Sequence, residues 1–258
     1  MIQVKLVKKV FKKYFHFVAA FIVLPALVFL SMYSLDQKGF FQIDQIQIET
    51  ATLSSQKNYI SPKIENLKMQ LESFKGVSLW RFPLSQVSEI LKNEDWVKDY
   101  RLSRSWPSAL KIEIEPHMVS YLIQVHESGS AATEFRPVTA EGSLLKKIDS
   151  KQAPNVVTVN DAAFLQNKKI REGALGVLKA LPNQGALHPT QVSELGYDRQ
   201  EGYWIRLIQS EMKINLGEEQ IEIKSARVNQ VIDYLNNHDL KARVIDANLS
   251  KKVLVRMH

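Results

Sequence analysis

Leu110-Lys111-Ile112-Glu113-Ile114-Glu115 alternates apolar and charged side chains over six positions. Successive side chains of a strand point to opposite faces, so Leu110, Ile112 and Ile114 face a core while Lys111, Glu113 and Glu115 face water. Just upstream, Trp106-Pro107 is a turn, because the residue before a proline is pushed out of the α region. Before that turn a strand begins at Trp96-Val97 and runs to about Ser103. Further back, Leu84, Val87, Ile90 and Leu91 form the inner stripe of a helix opened by Pro83 and ending near Asn93. Ile64, Leu67, Leu71 and Phe74 give a second stripe, with Ser61 as cap, Pro62 at the first helical position and Gly76 as left-handed terminator. Residues 77–82 are a short apolar link. Phe41, Ile43, Ile46 and Ile48 mark the first strand, and its parity breaks between Ile43 and Ile46. Residues 50–60 read as a loop. The order over 41–115 is strand, helix, helix, strand, strand, an α+β module.

Upstream of this module, residues 14–35 run 22 positions without one charge, and the 13 residues before them carry five lysines and no acid. At about 1.5 Å per residue the apolar run reaches roughly 33 Å, enough to cross a hydrocarbon core of about 30 Å. Lys5, Lys8, Lys9, Lys12 and Lys13 keep the N-terminus cytoplasmic and send residues 36–258 outside. A cleaved secretory signal is the alternative. The run exceeds the apolar core of such signals, and no clear small-x-small cleavage site follows it. Pro25 is tolerated mid-span, and His16 lies near the cytoplasmic interface, where a polar neighbour or headgroup is its expected partner.

The formal charge of +7 is concentrated in this flank: without its five lysines, 29 basic residues face 27 acidic ones. The exported part therefore has no dispersed basic surface for nucleic acid, and the N-terminal lysines suit topology and anionic headgroups. There is no cysteine, so outside the cytoplasm the chain folds without disulfides, thiol catalysis or thiolate metal sites.

Beyond Pro116 the pattern becomes strand-rich. Strands are expected at 118–125, 156–159, 192–197, 203–208, 212–216, 241–246 and 252–257, with a loop at 127–134 and a hairpin over 138–146 turning at Glu141-Gly142. Leu175, Leu178 and Leu181 mark a helix ended by Pro182. A second helix runs from Gly217 to about Asn236, with Ile223, Val228, Val231 and Leu235 as its inner face. The expected organisation is a basic tail (1–13), a transmembrane helix (14–35), the small α+β module (40–116) and a larger β domain with two helices and a C-terminal edge strand (117–258).

Catalytic patterns are missing from the sequence. The six histidines, His16, His117, His126, His188, His238 and His258, do not pair at helical spacing with a carboxylate as zinc hydrolases need. There is no Gly-x-Ser-x-Gly elbow and no phosphate-cradling glycine loop. Glu94-Asp95 and Glu218-Glu219 sit at helix ends, where the latter pair suits the helix dipole; a glycosidase pair separated in sequence stays open. Trp96 and Trp204 lie on apolar patterns and are expected in the core. Trp80 is a candidate partner anchor, and Trp106, in its turn, is as much one as a core residue. Lys146-Lys147, Lys168-Lys169 and Lys251-Lys252 read as solvated faces. No enzyme activity, cofactor, metal or small-molecule substrate is expected.

The order of elements in 41–115 resembles a POTRA domain. Trp96-Val97, Arg104-Ser105-Trp106-Pro107 and 110–115 resemble the FtsQ/DivIB family of bacterial cell-division proteins. So do Gly142-Ser143-Leu144-Leu145, Trp204-Ile205-Arg206-Leu207, Ile214-Asn215-Leu216-Gly217, and the closing pair Ala242-Arg243-Val244-Ile245-Asp246 and Lys252-Val253-Leu254-Val255-Arg256. Two places depart from the family pattern. Ile48-Glu49-Thr50 stands where Val-x-Gly is usual, and Asn248-Leu249 where an Arg-Tyr pair is frequent. Pairing through the backbone would survive both changes.

The resemblance implies an inner-membrane scaffold of the division machinery that binds small coiled-coil division proteins of the FtsB/DivIC and FtsL type and so links early division proteins to septal wall synthesis. It places partner addition at the closing hairpin, with Asn248, Leu249, Lys251, Val253 and Val255 as the contact residues. The last strand is expected to have no later strand beyond it. The competing classes are a membrane-anchored envelope hydrolase or wall-binding enzyme, and a POTRA-containing secretion component. The topology is tested by reporter fusions: a periplasm-dependent reporter placed after His258 is expected to be active and one placed before Tyr14 inactive, and the reverse pattern would reject an N-in anchor.

Overall fold

A computed structural model describes residues 21–51, 54–125, 134–208, 210, 212–249 and 252–257. The basic tail, the first seven residues of the expected span, the 127–133 stretch of the expected loop, and His16, His126, Lys251 and His258 lie outside these residues. Residues 21–37 are helical, and their apolar side chains, such as Phe21, Leu24, Leu27 and Leu30, are exposed. Among the described residues no helix is long and apolar enough to cross a membrane.

Contacts divide the chain into two units. The first gathers the described residues up to Glu49 with Asn66–Lys92 and Tyr100–Ile114; the second gathers Thr50–Glu65, Asn93–Asp99 and the residues from Glu115 onward.

Three strands, β1 (Gln45–Thr50), β2 (Val97–Ser105) and β3 (Ala109–Pro116), form a small sheet in the order β1-β3-β2. β3 keeps the alternation read from its sequence: Leu110, Ile112 and Ile114 are buried, and the residues between them are not. Helices α1 (Lys57–Leu71) and α2 (Leu84–Asn93) contribute Leu67, Leu71, Val87 and Leu91, all fully buried. Ile64 and Phe74, expected with them, are half-buried. The first strand is shorter than expected. Phe41 and Ile43 precede it and pair with residues 76–79 instead, through Gly76 N–H to the Ile43 carbonyl at 2.9 Å and Leu79 N–H to the Phe41 carbonyl at 2.7 Å. Gly76 makes this possible with a φ of +82°, a conformation that costs a residue without a Cβ nothing extra.

Helix α1 corrects the sequence reading. It starts at Lys57, within the expected loop, and Pro62 lies inside it rather than opening it. The cause is tertiary. Just ahead of the helix, a 3-10 turn (Ser54–Gln56) buries Gln56, whose side chain donates to the Val119 carbonyl at 3.1 Å and accepts from Val119 N–H at 3.4 Å. That clamp orders the residues that the Ser-Pro signal left outside. Pro62 then forfeits one intrahelical bond in the second turn.

The second unit is built on a nine-stranded mixed sheet. Its strands are β4 (Val119–Val125), β5 (Glu134–Thr139), β6 (Ile148–Asp149), β7 (Val157–Val159), β8 (Val192–Asp198), β9 (Gly202–Leu207), β10 (Lys213–Gly217), β11 (Ala242–Asp246) and β12 (Leu254–Met257). Their spatial order is β12-β11-β10-β9-β8-β7-β4-β5-β6. The pairs β4–β7, β7–β8 and β10–β11 are parallel and the remainder antiparallel. Parallel neighbours need a crossover. Helix α4 (Lys168–Ala180), preceded by the four-residue α3 (Ala163–Gln166), connects β7 to β8, and α5 (Ile221–Asn237) connects β10 to β11. The sequence reading did not include α3. Helices α4 and α5 pack on each other, and α5 also packs on β10. One sheet face thus gains a core of Tyr121, Ile123, Leu195, Ile205, Ile214 and Ile245 under Ala174, Val177, Val228 and Ile232.

Three further expectations are corrected. Ile223 is half exposed, and α5 instead turns Lys224, Ser225, Val228, Ile232 and Leu235 inward. Lys224 is tolerated there because its ammonium donates to the Leu216 carbonyl at 3.0 Å while its stem stays apolar. Trp204 is half-buried on the face away from the helices. It lies over Gly196, where a Cβ would collide with its ring, and Arg206 and Lys213 sit 5.6 and 5.2 Å from its ring centre. The 138–146 hairpin turns at Gly142, but its return arm makes only an isolated bridge between Val138 and Leu144.

Truncating the fully buried Leu71 to Ala removes a side chain from a closed core, and the loss of burial plus the cavity predicts a destabilisation of about 2–5 kcal/mol by chemical denaturation. A loss below about 0.5 kcal/mol would contradict the assigned helix face.

Candidate partner-binding edge

The closing hairpin is held on its inner side in three ways. β11 lies parallel to β10, pairing Lys213 with Val244, Ile214 with Ile245 and Asn215 with Asp246. Past the end of β11, Ala247 is buried and its N–H donates to the Asn215 carbonyl at 2.9 Å, extending the ladder by one rung. Asn248 N–H then donates to the Asp246 carboxylate at 2.9 Å, a local turn that starts the return. β12 runs back antiparallel to β11, with Asp246 opposite Leu254, Ile245 opposite Val255 and Val244 opposite Arg256.

β12 ends the sheet order, so among the described residues it is paired on one side only. In an antiparallel ladder alternate residues aim both backbone groups at the partner strand and the others aim both away. The outward groups of β12 are a template for an added strand.

Other edges exist, and their surfaces differ. β6, at the far end of the same sheet, has two residues. β1 and β2 flank the small sheet, and neither carries an exposed large apolar side chain. β2 instead carries Lys98, Asp99, Arg101 and Arg104, charges of the kind that blunt an edge. On the closing hairpin Leu249, Leu254 and Met257 are 51, 49 and 47% exposed. Apolar side chains beside free backbone groups distinguish this edge from the others.

The five residues singled out from sequence divide. Asn248 and Leu249 are exposed on the connection. Val253 and Val255 are half-buried and pack against the core, so their side chains anchor the strand. Lys251 lies outside the described residues. The outward side chains are Leu254 and Arg256, opposite Asp246 and Val244, followed by Met257. They were not singled out from sequence, although strand parity carries the signal: once Val253 and Val255 are inward, Leu254 and Arg256 are outward. The stretch 241–257 carries Lys241, Arg243, Lys251, Lys252 and Arg256 against the single acid Asp246, a charge pattern that favours an acidic partner.

Asn248 also packs where β10 turns into α5. Gly217 has a φ of +77°, and a Cβ there would collide with the Asn248 amide oxygen. Gly217→Ala is therefore expected to destabilise the protein by about 1–3 kcal/mol, read from the shift in chemical denaturation midpoint. An unchanged midpoint would show that this turn does not brace the hairpin connection.

A cleft of about 980 Å³ in this unit is lined among others by Asp161, Glu172, Tyr197, Tyr203 and Glu218. Tyr197 donates to the Glu218 carboxylate at 2.7 Å, and this hydrogen bond raises its pKa. Glu218 thus binds a phenol, in addition to lying near the start of α5 as the sequence suggested. Burial pushes Tyr203 up to about 12, with its hydroxyl on the Ile170 carbonyl at 3.0 Å. Both phenols are moved away from neutral-pH proton transfer. Among the described residues no cluster of three His, Cys, Asp or Glu side chains is placed to hold a metal ion.

Residues 130–248 match the family model described as "Cell division protein FtsQ/DivIB, C-terminal". The matched stretch takes in β5 through β11 and ends at Asn248. Cell division protein FtsQ of Syntrophotalea carbinolica is 18% identical over 226 residues, which cover 84% of this chain and 74% of that protein.

Proposed function

We propose that this chain, which belongs to the FtsQ/DivIB family and so has a part in bacterial cell division, is a membrane-anchored scaffold that captures partner proteins by strand addition at β12. The partners are small coiled-coil division proteins of the FtsB/DivIC and FtsL type, and through them the chain links early division proteins to septal wall synthesis. Residues 14–35 anchor it in the cytoplasmic membrane, with residues 36–258 outside. Residues 40–116 form a POTRA-like module and 117–258 the β domain that binds.

The observation that carries this reading is the one-sided pairing of β12 beside exposed Leu249, Leu254 and Met257. Magnitudes set the division of labour. Four strand residues offer about four outward donors and acceptors, and at about 0.5–1.5 kcal/mol each these contribute roughly 2–6 kcal/mol. Association costs about 4–15 kcal/mol, so backbone pairing alone does not hold a partner. Apolar contact with Leu249, Leu254 and Met257 adds affinity. Anchoring both proteins in one membrane raises their effective concentration. The basic residues of the hairpin set partner orientation and on-rate.

Consecutive strand residues point their N–H groups to opposite sides, so of Leu254→Pro and Val255→Pro one removes an outward donor. That variant is expected to lose capture of the coiled-coil partner in a pull-down while keeping the far-ultraviolet dichroism of the parent. Undiminished capture by both variants, each correctly folded, would reject strand addition at β12.

A further inference from the structure

The strongest unassigned feature is an exposed aromatic cluster in the first unit. Trp80 and Trp106 are 42 and 53% exposed, with ring centres 6.2 Å apart, and both rings contact Phe41 at 6.3 and 5.6 Å. Phe40, 53% exposed, stacks edge-on against Phe41, and Val77, three residues before Trp80, is 41% exposed. Sequence reading left both tryptophans as candidate anchors, and nothing in strand capture at β12 uses them.

The cluster is rigidly presented. Arg104 donates to the Leu79 carbonyl at 2.9 Å and to the Phe82 carbonyl at 2.8 Å, bracketing Trp80. The same loop is tied to the apolar helix. Arg81 pairs with Asp36 at 3.2 Å and lies 5.5 Å from the Tyr33 ring centre, and the Ser78 hydroxyl donates to Asp36 at 2.5 Å. Trp80 and Arg81 share a cavity of about 60 Å³ with Phe29 and Met32. Phe29 and Met32 precede Leu35 by six and three residues, which is about 9 and 4.5 Å along a helix axis. If residues 14–35 span the bilayer, Trp80 cannot reach that level without entering the outer-leaflet boundary between headgroups and acyl chains.

We infer that Phe40, Val77, Trp80 and Trp106 form a lipid-docking surface, which seats the first unit in the headgroup layer of the outer leaflet. The inference rests on residues 14–35 being the anchor. Tryptophan suits this depth because it combines a large apolar ring with one N–H that remains hydrated. Arg81 suits it too: its side chain is more than half exposed, and a guanidinium with one nitrogen on Asp36 keeps further N–H donors for a phosphate. The docking surface would fix how the first unit stands on the membrane, where a single helix alone leaves it free to swivel.

The absence of cysteine makes the test clean. Single variants Phe40→Cys, Val77→Cys, Leu24→Cys and Tyr234→Cys of the full chain are nitroxide-labelled in nanodiscs of phosphatidylethanolamine and phosphatidylglycerol. Collision with oxygen, which partitions into lipid, is compared with collision with a water-soluble nickel chelate. Labels at 40 and 77 are expected to favour oxygen several-fold, as at 24 in the apolar helix, with the opposite at 234 on α5. Labels at 40 and 77 behaving like 234, while 24 reads lipid, would overturn the docking surface and leave the anchor intact. A label at 24 that reads water would overturn the anchor and the docking surface together. In a Val77→Cys background, Trp80→Ser with Trp106→Ser is expected to move the label toward water; no movement would also overturn the assignment to these rings.

Discussion

A β-strand carries hydrogen-bonding groups on both sides, and among the described residues β12 has a partner on only one. Everything that positions this strand acts from its paired side. The parallel register of β10 and β11 is closed by the α5 crossover, and the buried Ala247 adds a last rung before the chain turns back. Val253 and Val255 then press β12 against the same core that holds Ile245. The inner side is fully determined by packing, which leaves a rigid, preformed outer side. Rigidity matters, because an edge that had to order itself on binding would lose affinity to conformational entropy.

The first unit solves a different problem with similar means. A short loop after Gly76 would wander in isolation. Here its ends pair with Phe41 and Ile43, Arg104 holds two of its carbonyls, and Arg81 and Ser78 converge on Asp36, whose side chain is 10% exposed. A carboxylate so covered needs partners, and it has a cation and a hydroxyl. The result is a loop that turns Trp80 outward while Leu79 and Phe82 on either side of it are buried.

Neither surface is a pocket, and neither depends on a shifted acid or base. The cleft in the second unit holds phenols driven away from neutrality by burial and by a carboxylate acceptor. What the molecule presents is backbone at one place and aromatic rings at another. Both suit association more than chemistry.

The amino-acid sequence by itself determined whatever depends on local periodicity. The alternation of 110–115 became β3 with its buried and exposed faces intact, and the stripes through Leu67 and Leu71 and through Val87 and Leu91 were buried as read. The two closing strands were visible as well. Tertiary structure alone decided the features that depend on distant neighbours. Gln56, clamped on Val119, extended α1 back past Pro62. Lys224 turned inward because the Leu216 carbonyl was there to receive it, and this displaced Ile223 to the surface. The parallel pairings appear nowhere in local sequence, and the edge position expected of the last strand rests on them. A strand's own residues specify its pleat, but being an edge is a statement about which strand is absent beside it, and only the assembled sheet can make that true.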